Sequence, residues 1–234
     1  MDIGIVGTNF ISEWFVAACR AGSGRVRPTA VCSRDAARGA EFAARMDLPR
    51  SFTTVEEMCE AVDAVYIASP TSAHHAQAMA AIEAGRHVLI EKEMAASDAE
   101  AEAIFAAAER RGVVAMEAAR HLHTPAFREF RRAIGDIGTV RYAHFEMLQY
   151  SSRYGRFLAG EHVNAFDPTL GNAAIVDIGF YPLSAALECF GTAPASQSGG
   201  SYWLHNGFEG GGSIQLGYEG LLVDVAYSKI VSAV

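Results

Sequence analysis

Over the first half of the chain, short apolar runs alternate with stretches of helical spacing. DIGIVG at residues 2–7 reads as a strand, and SEWFVAACRAG follows with apolar positions on one helical face, stopping at Gly22. TAVCS is the next strand and DAARGAEFAARM the next helix. TVEEMCE is a short helix opened by a capping box, Thr54 with Glu57. AVDAVYIAS reads as a strand, TSAHHAQAMAAIEAG as a helix ending at Gly85, and HVLIE as a strand. SDAEAEAIFAAAERRG is a helix with a second capping box, Ser97 with Glu100, and arginines ahead of Gly112. VVAMEAA is a further strand. Strands that are apolar throughout and alternate with helices predict a parallel sheet covered on both faces, an α/β doubly wound domain.

After about residue 120 the pattern changes. TPAFREFRRAIG is one helix with Pro125 near its start, and TVRYAHFEMLQYSS is a long aromatic and β-branched strand. NAAIVDIGFYPLSAALECFG reads as a loop leading into a buried helix. SYWLHNG, GGSIQLGY and LLVDVAYSKIV read as three strands joined by turns at GFEGGG and YEG. This predicts a second, α+β domain with a mainly antiparallel sheet. The expected division is 1–119 and 120–234. The ending AYSKIVSAV reads as a strand broken off midway, so the sheet is expected to be truncated or its edge covered by a partner.

Composition narrows the function classes. A chain of 234 residues that is half hydrophobic and a fifth charged is globular. The net charge of −8 argues against a nucleic-acid partner, which needs a basic surface. Cys19, Cys32, Cys59 and Cys189 sit singly among apolar residues without CxxC spacing, as reduced buried thiols do. MDIGIVG lacks a basic stretch followed by an apolar one, and no apolar run is long enough for a bilayer. A cytoplasmic protein with no membrane partner is expected.

Five stretches carry candidate chemistry. In GIVGTNFISEWF, at the first strand-to-helix turn, Gly4 and Gly7 provide for a tight turn and for close approach of a pyrophosphate to a helix N-terminus. Thr8, Asn9, Phe10 and Ile11 complete that loop; Asn9 stands where a dinucleotide fingerprint has a glycine, and a plain turn with Asn9 as a left-handed or N-cap residue is the competing reading. The next strand ends in Cys32, Ser33 and Arg34, with Asp35 one step later. A hydroxyl beside a guanidinium suits a 2′-phosphate, so NADP is preferred over NAD, against a solvated arginine and a capping serine or aspartate. Ser69, Pro70 and Thr71 place small polar groups at the carboxyl edge of the sheet, where open α/β folds bind ligands. His74 joins that edge as a cofactor candidate; for His74 and His75 together the competing reading is surface or helix-start residues. Glu91 and Lys92 in LIEKEMA sit at another carboxyl strand end, where the alternative is a lysine lying along the surface. Asp177 and Tyr181, four apart, share a face if their stretch is helical, against a capping aspartate and a core tyrosine. His121 and His123 alternate as on the end of a strand; no third ligand is near, so structural roles are preferred and no metal is expected.

GIVGTNFI, YIASPTSAHHAQAMAAIEAGRHVLIEKEMA and GNAAIVDIGFYPL, in this order, resemble the glucose–fructose oxidoreductase/inositol dehydrogenase (Gfo/Idh/MocA) family across essentially the whole chain. The family has Glu-Lys-Pro where this chain has Glu91-Lys92-Glu93. The resemblance implies a Rossmann domain followed by an α+β domain whose sheet packs against another subunit, giving a homodimer or homotetramer. It implies hydride exchange between NADP or NAD and a carbinol carbon of a sugar, polyol or diol. It assigns Lys92 to the reacting oxygen and nicotinamide, and Asp177 to a catalytic aspartate that orients the substrate or Lys92. Tyr181 falls in the position of the acid/base of the tyrosine-bearing branch, which includes the dimeric dihydrodiol dehydrogenases. A phenol ionises only near about pH 10, so a neighbouring ammonium assists it. A non-catalytic NAD(P)-binding regulator or structural subunit of the same fold is the competing reading.

Overall fold

The computed structural model describes residues 1–231, and the chain divides into two compact units, Met1–Ala118 and the residues from Ala119 on. The expectation of a chain ending in mid-strand falls in part on residues 232–234, outside the described residues.

The first unit runs β1 (Asp2–Val6), α1 (Phe10–Ala21), β2 (Arg27–Cys32), α2 (Ala36–Arg45), β3 (Arg50–Phe52), α3 (Val55–Cys59), β4 (Ala64–Ile67), α4 (His74–Glu83), β5 (His87–Ile90), α5 (Asp98–Arg111) and β6 (Ala115–Glu117). The six strands are all parallel, in the order β3-β2-β1-β4-β5-β6, so the chain winds outward from β1 in both directions. Side chains alternate across the sheet because a strand has a period of two. Ile3, Ile5, Val31 and Tyr66 pack with Val16 of α1 and Phe42 of α2. Val6, Cys32, Ile67 and Ile90 pack on the other face with Met58 of α3, Ile82 of α4 and Ile104 of α5. Both faces are therefore buried, which is why these strands carry no polar alternation. Both capping hydroxyls accept as the sequence predicts, Thr54 from the Glu57 N–H at 3.3 Å and Ser97 from the Glu100 N–H at 3.3 Å. The short strand β3 has no sequence signal of its own beyond Ser-Phe-Thr; pairing with the edge of β2 makes it a strand.

The second unit contains α6 (Pro125–Ile134), β7 (Tyr142–Leu148), α7 (Tyr154–Leu158), α8 (Phe180–Phe190), β8 (Ser196–Trp203), β9 (Glu209–Tyr218) and β10 (Leu221–Ser228). Its sheet has the order β7-β10-β9-β8. The pairs β10/β9 and β9/β8 are antiparallel hairpins, and β10/β7 is parallel, since a long connection through α8 separates those two strands. Ala186 of α8 packs against Leu216, Val223 and Val225 on one sheet face. β8 begins at Ser196, in a stretch too small and polar to read as a strand; β9 recruits it by register. His121 and His123 do not lie on a strand. They sit in a tight 3₁₀ turn, Arg120–His123, because Pro125 opens α6 directly afterwards and the chain must turn before it.

Candidate functional site

At the carboxyl edge of the first unit's sheet, the β1–α1 turn passes very close to the end of β4. Gly7 has φ +108°, and a Cβ there would stand 2.7 Å from the Ala68 carbonyl oxygen, so only glycine fits. Asn9 is extended, not left-handed, and is the N-cap of α1. Its Oδ1 accepts from the Ile11 and Ser12 N–H groups at 3.0 and 3.1 Å, and its Nδ2 donates to the Ala68 carbonyl at 2.7 Å. One amide thus replaces the fingerprint glycine and ties the turn to β4. Phe10 and Ile11 form the first turn of α1, with Thr8 just ahead of the cap. Gly4 is not at this edge: it lies inside β1, where a Cβ would meet the Met58 sulfur at 2.5 Å, so its role is packing of sheet against helix and not contact with a ligand.

Beside this turn a crevice of about 300 Å³ is lined by Gly7, Cys32, Arg34, Thr53, Thr54 and Gln77, among others. Asp35, the nearest carboxylate in sequence to Arg34, is engaged as the N-cap of α2, accepting from the Arg38 N–H at 3.1 Å. Arg34, just after β2, and Glu56, on α3, both line the crevice, so its wall carries a cation and a carboxylate. Ser33 is anchored through its N–H to the Phe52 carbonyl at 3.0 Å. Cys32 and Cys59 are buried, and burial pushes both thiols up to about 11, so they are inert packing groups. A larger hollow of about 670 Å³ lies by the amino ends of β1, β4 and β5, lined by Ile3, Phe15, Ala64 and Leu89 among others; its wall is apolar and carries no converging polar groups.

His74 is 1% exposed, contrary to the surface reading. Its Nδ1 lies 2.8 Å from the Glu93 carbonyl and its Nε2 2.9 Å from the Ser69 carbonyl. Both ring nitrogens face backbone carbonyls and the one that carries the hydrogen donates, so the buried ring lies between the Ser69-Pro70-Thr71 loop and the Lys92-Glu93 loop. Ser69 in turn donates to Gln77 Oε1 at 2.6 Å. The Lys92–Glu93 peptide is cis. The Lys92 side chain is 17% exposed, with its Nζ 3.5 Å from Glu93 Oε1, so it is not a solvated surface lysine. Tyr66 donates to Glu91, whose other oxygen accepts from the Lys92 N–H at 3.3 Å. Glu117, from β6, accepts the Met94 N–H at 2.7 Å. Burial lifts its carboxyl above the usual range, opposed by the Met94 N–H, with Glu93 and Glu91 raising it further and Lys92 lowering it.

In the second unit, Asp177 lies at the centre of a wide π turn, Ile175–Gly179, that runs directly into α8, where Tyr181 stands in the first turn. The two are thus split between a π turn and a helix, not placed on one regular helix face. Asp177 Oδ2 is 3.0 Å from the Nζ of Lys229, which follows β10. Glu209, 4% exposed, accepts from the Ile175 N–H at 2.8 Å, from Ser201 at 2.7 Å and from the Tyr227 hydroxyl at 2.6 Å. That bond and burial push the Tyr227 phenol up to about 12, burial being the larger cause. His121 packs edge-on against Tyr181, ring centroids 5.0 Å apart, with its Nε2 2.9 Å from Ser184 Oγ. The Ser184 hydroxyl donates to the Phe180 carbonyl, so the His121 Nε2 carries the hydrogen and donates. Burial lowers the His121 pKa. Tyr154 stacks into the Phe157–Phe166 cluster, and the Asn164 carbonyl accepts from Asn172. Among the described residues no cluster of His, Cys, Asp or Glu is suited to a metal ion, and no helix is long and apolar enough to cross a membrane.

Residues 1–119 match the oxidoreductase family with an NAD-binding Rossmann fold, Gfo/Idh/MocA. The chain belongs to that family. It is 40% identical over 228 residues to scyllo-inositol 2-dehydrogenase (NADP(+)) IolU of Bacillus subtilis, covering 97% of this chain and 69% of that protein. It is 31% identical over 194 residues to human trans-1,2-dihydrobenzene-1,2-diol dehydrogenase, covering 80% of this chain and 55% of that one. Among solved structures, a variant of KijD10, a 3-ketoreductase from Actinomadura kijaniata in complex with TDP-benzene and NADP, superposes with a TM-score of 0.81 at 25% identity, over 99% of this chain and 71% of that one. This member of the family is accordingly an NAD(P)-dependent oxidoreductase with a Rossmann sheet and a second, mainly antiparallel one. The carboxyl edge suits a dinucleotide by its own chemistry: a glycine turn with no room for a side chain just ahead of a helix N-terminus, and beside it a crevice with Arg34, and also Glu56, on its wall.

Lys229, Glu209 and Glu117 escaped the sequence reading. Lys229 had a usable signal, since LLVDVAYSK ends an apolar run in a charge just as HVLIEK does. Glu117 generates a test. Because its carboxyl is lifted in the folded state, folding favours its neutral form relative to water. Its contribution to stability is present below the ordinary carboxylate range and is lost as pH rises through the lifted value. Glu117→Gln keeps an acceptor for the Met94 N–H and cannot ionise. Thermal midpoints from about pH 4 to about pH 7 are expected to fall for the native protein relative to this variant; a constant difference between the two contradicts the assignment.

Proposed function

We propose that the protein is an NADP-preferring dehydrogenase of a cyclic polyol, with Lys92, Asp177 and Tyr181 as its catalytic residues. The observation that carries the reading is the first unit's carboxyl edge: a crevice beside the Gly7 turn with Arg34 among its lining residues, and at a neighbouring strand end a largely buried Lys92. The polyol class rests on the likeness to the scyllo-inositol dehydrogenase. NADP, when bound, accepts the hydride that leaves the carbinol carbon with its electron pair. Lys92 donates a hydrogen bond to the reacting oxygen and stabilises the negative charge that grows on it. Tyr181 takes the hydroxyl proton in oxidation and returns it in reduction. Asp177 orients the substrate hydroxyls. Gly7, Thr8, Asn9, Phe10 and Ile11 shape the pyrophosphate turn, Ser33 and Arg34 receive the 2′-phosphate, and Ser69, Pro70, Thr71 and Glu91 wall the nicotinamide side.

The residues from Ala119 on serve as the substrate and oligomerisation domain. A homodimer or homotetramer forms through the four-stranded sheet, supported by the exposure of edge strand β8 along its whole length; sedimentation equilibrium reports the state. A reducing, cytoplasmic location suits four free cysteines, and fractionation of cells tests it.

Arg34→Ala is expected to weaken NADPH about 10- to 100-fold, as loss of a charge-assisted hydrogen bond does, with NADH nearly unchanged in a fluorescence titration. Equal loss for both cofactors removes Arg34 from the 2′-phosphate. Lys92→Met is expected to lower kcat by about 10²- to 10³-fold with NADPH affinity intact. Turnover near the native rate sinks the lysine's role.

A further inference from the structure

The buried charge with the least evident purpose is Lys229. Its side chain is 7% exposed, whereas that of its partner Asp177 is 49% exposed. The ammonium lies 3.0 Å from Asp177 Oδ2 and 3.0 Å from the Ala165 carbonyl, and 5.2 and 5.4 Å from the ring centroids of Phe166 and Phe208. One carboxylate, one carbonyl and two aromatic faces thus surround it. The lysine's backbone is fixed as well: its N–H donates to the Gly210 carbonyl at 3.0 Å, and its carbonyl accepts from Ser151 at 2.9 Å. Taking an ammonium out of water costs several kcal/mol, on the order of what one ion pair returns, so stability alone is a weak reason for this arrangement.

The geometry points elsewhere. Asp177 sits in the π turn, where the backbone departs from regular α-helix. Two residues at the same end of the sheet grip that turn. Glu209 binds the Ile175 N–H, and Lys229, bonded by its own N–H to the residue after Glu209, binds the Asp177 carboxylate. A rigid sheet thereby fixes both the start of the turn and the carboxylate it displays, while the Asp177 side chain as a whole stays half-exposed.

We propose that Lys229 is a positioning residue that acts through Asp177, holding its carboxylate in the one orientation that engages the substrate. The proposal rests on the reading that Asp177 orients the substrate. It predicts coupling that a purely structural lysine lacks. Lys229→Met, Asp177→Asn and the double variant are compared by kcat/KM for scyllo-inositol with NADP, by NADPH affinity and by thermal midpoint. Lys229→Met is expected to lower kcat/KM about 10- to 100-fold, the loss of one charged hydrogen bond, with NADPH affinity within about twofold of native. The double variant is expected to be no slower than Asp177→Asn alone, within about threefold, because the lysine has nothing left to position. Losses that multiply in the double variant overturn the proposal, as does a native kcat/KM in Lys229→Met. If Asp177→Asn itself turns over at the native rate, the assignment of Asp177 falls and the positioning role with it; if only Asp177→Asn is impaired, the positioning role alone falls. Should Lys229→Met not fold, Lys229→Gln, which keeps a donor for the Ala165 carbonyl, carries the same comparison.

Discussion

A charge at the end of a buried strand must be partnered or it destabilises the fold, and in each unit of this protein that constraint determines where the strand-end charges stand. β5 is apolar up to Ile90, and the chain then emits Glu91, Lys92 and Glu93 in succession. They are kept from plain solvation by Tyr66, by one another, and by the His74 ring that fastens the Glu93 carbonyl. β10 ends the same way, with Lys229 turned inward onto Asp177. In both places the desolvation cost is offset by a small set of fixed hydrogen bonds, and fixed hydrogen bonds are what a preorganised site consists of.

The cofactor edge follows from the same sheet. Parallel strands end together, so the turns after β1, β2, β4 and β5 converge on one rim. Gly7 lets the first turn touch the end of β4, and the Asn9 side-chain amide secures it there. Asp35 is spent on capping α2, while Arg34 lines the crevice together with Glu56 of α3.

The legible parts of the sequence were those fixed locally. Apolar runs fixed the Rossmann strands, and Ser97 and Thr54 fixed helix starts, because burial on two faces and capping each depend on a few neighbouring residues. Lys92 was legible as a charge at a strand end, though its low exposure was not. What stayed hidden depends on pairing across distance. The parallel partnership of β7 with β10 and the pair formed by Lys229 with Asp177 join segments dozens of residues apart, and Ser196–Trp203 enters the sheet only by pairing with β9. Glu117 was hidden for the same reason, since its partner Met94 lies across the β5–β6 connection. His121 was misplaced because alternation over three residues does not distinguish a strand from the turn that Pro125 enforces.

The reading stands or falls on hydride transfer itself. Incubating the protein with NADP and scyllo-inositol deuterated at its ring carbons, then recording the NMR spectrum of the recovered cofactor, follows the transferred atom directly. The account predicts reduced cofactor carrying one deuterium at C4 of the nicotinamide, with a matching inosose as product. Reduced cofactor without deuterium, or bound cofactor that stays oxidised across scyllo-inositol and a panel of other polyols, contradicts it.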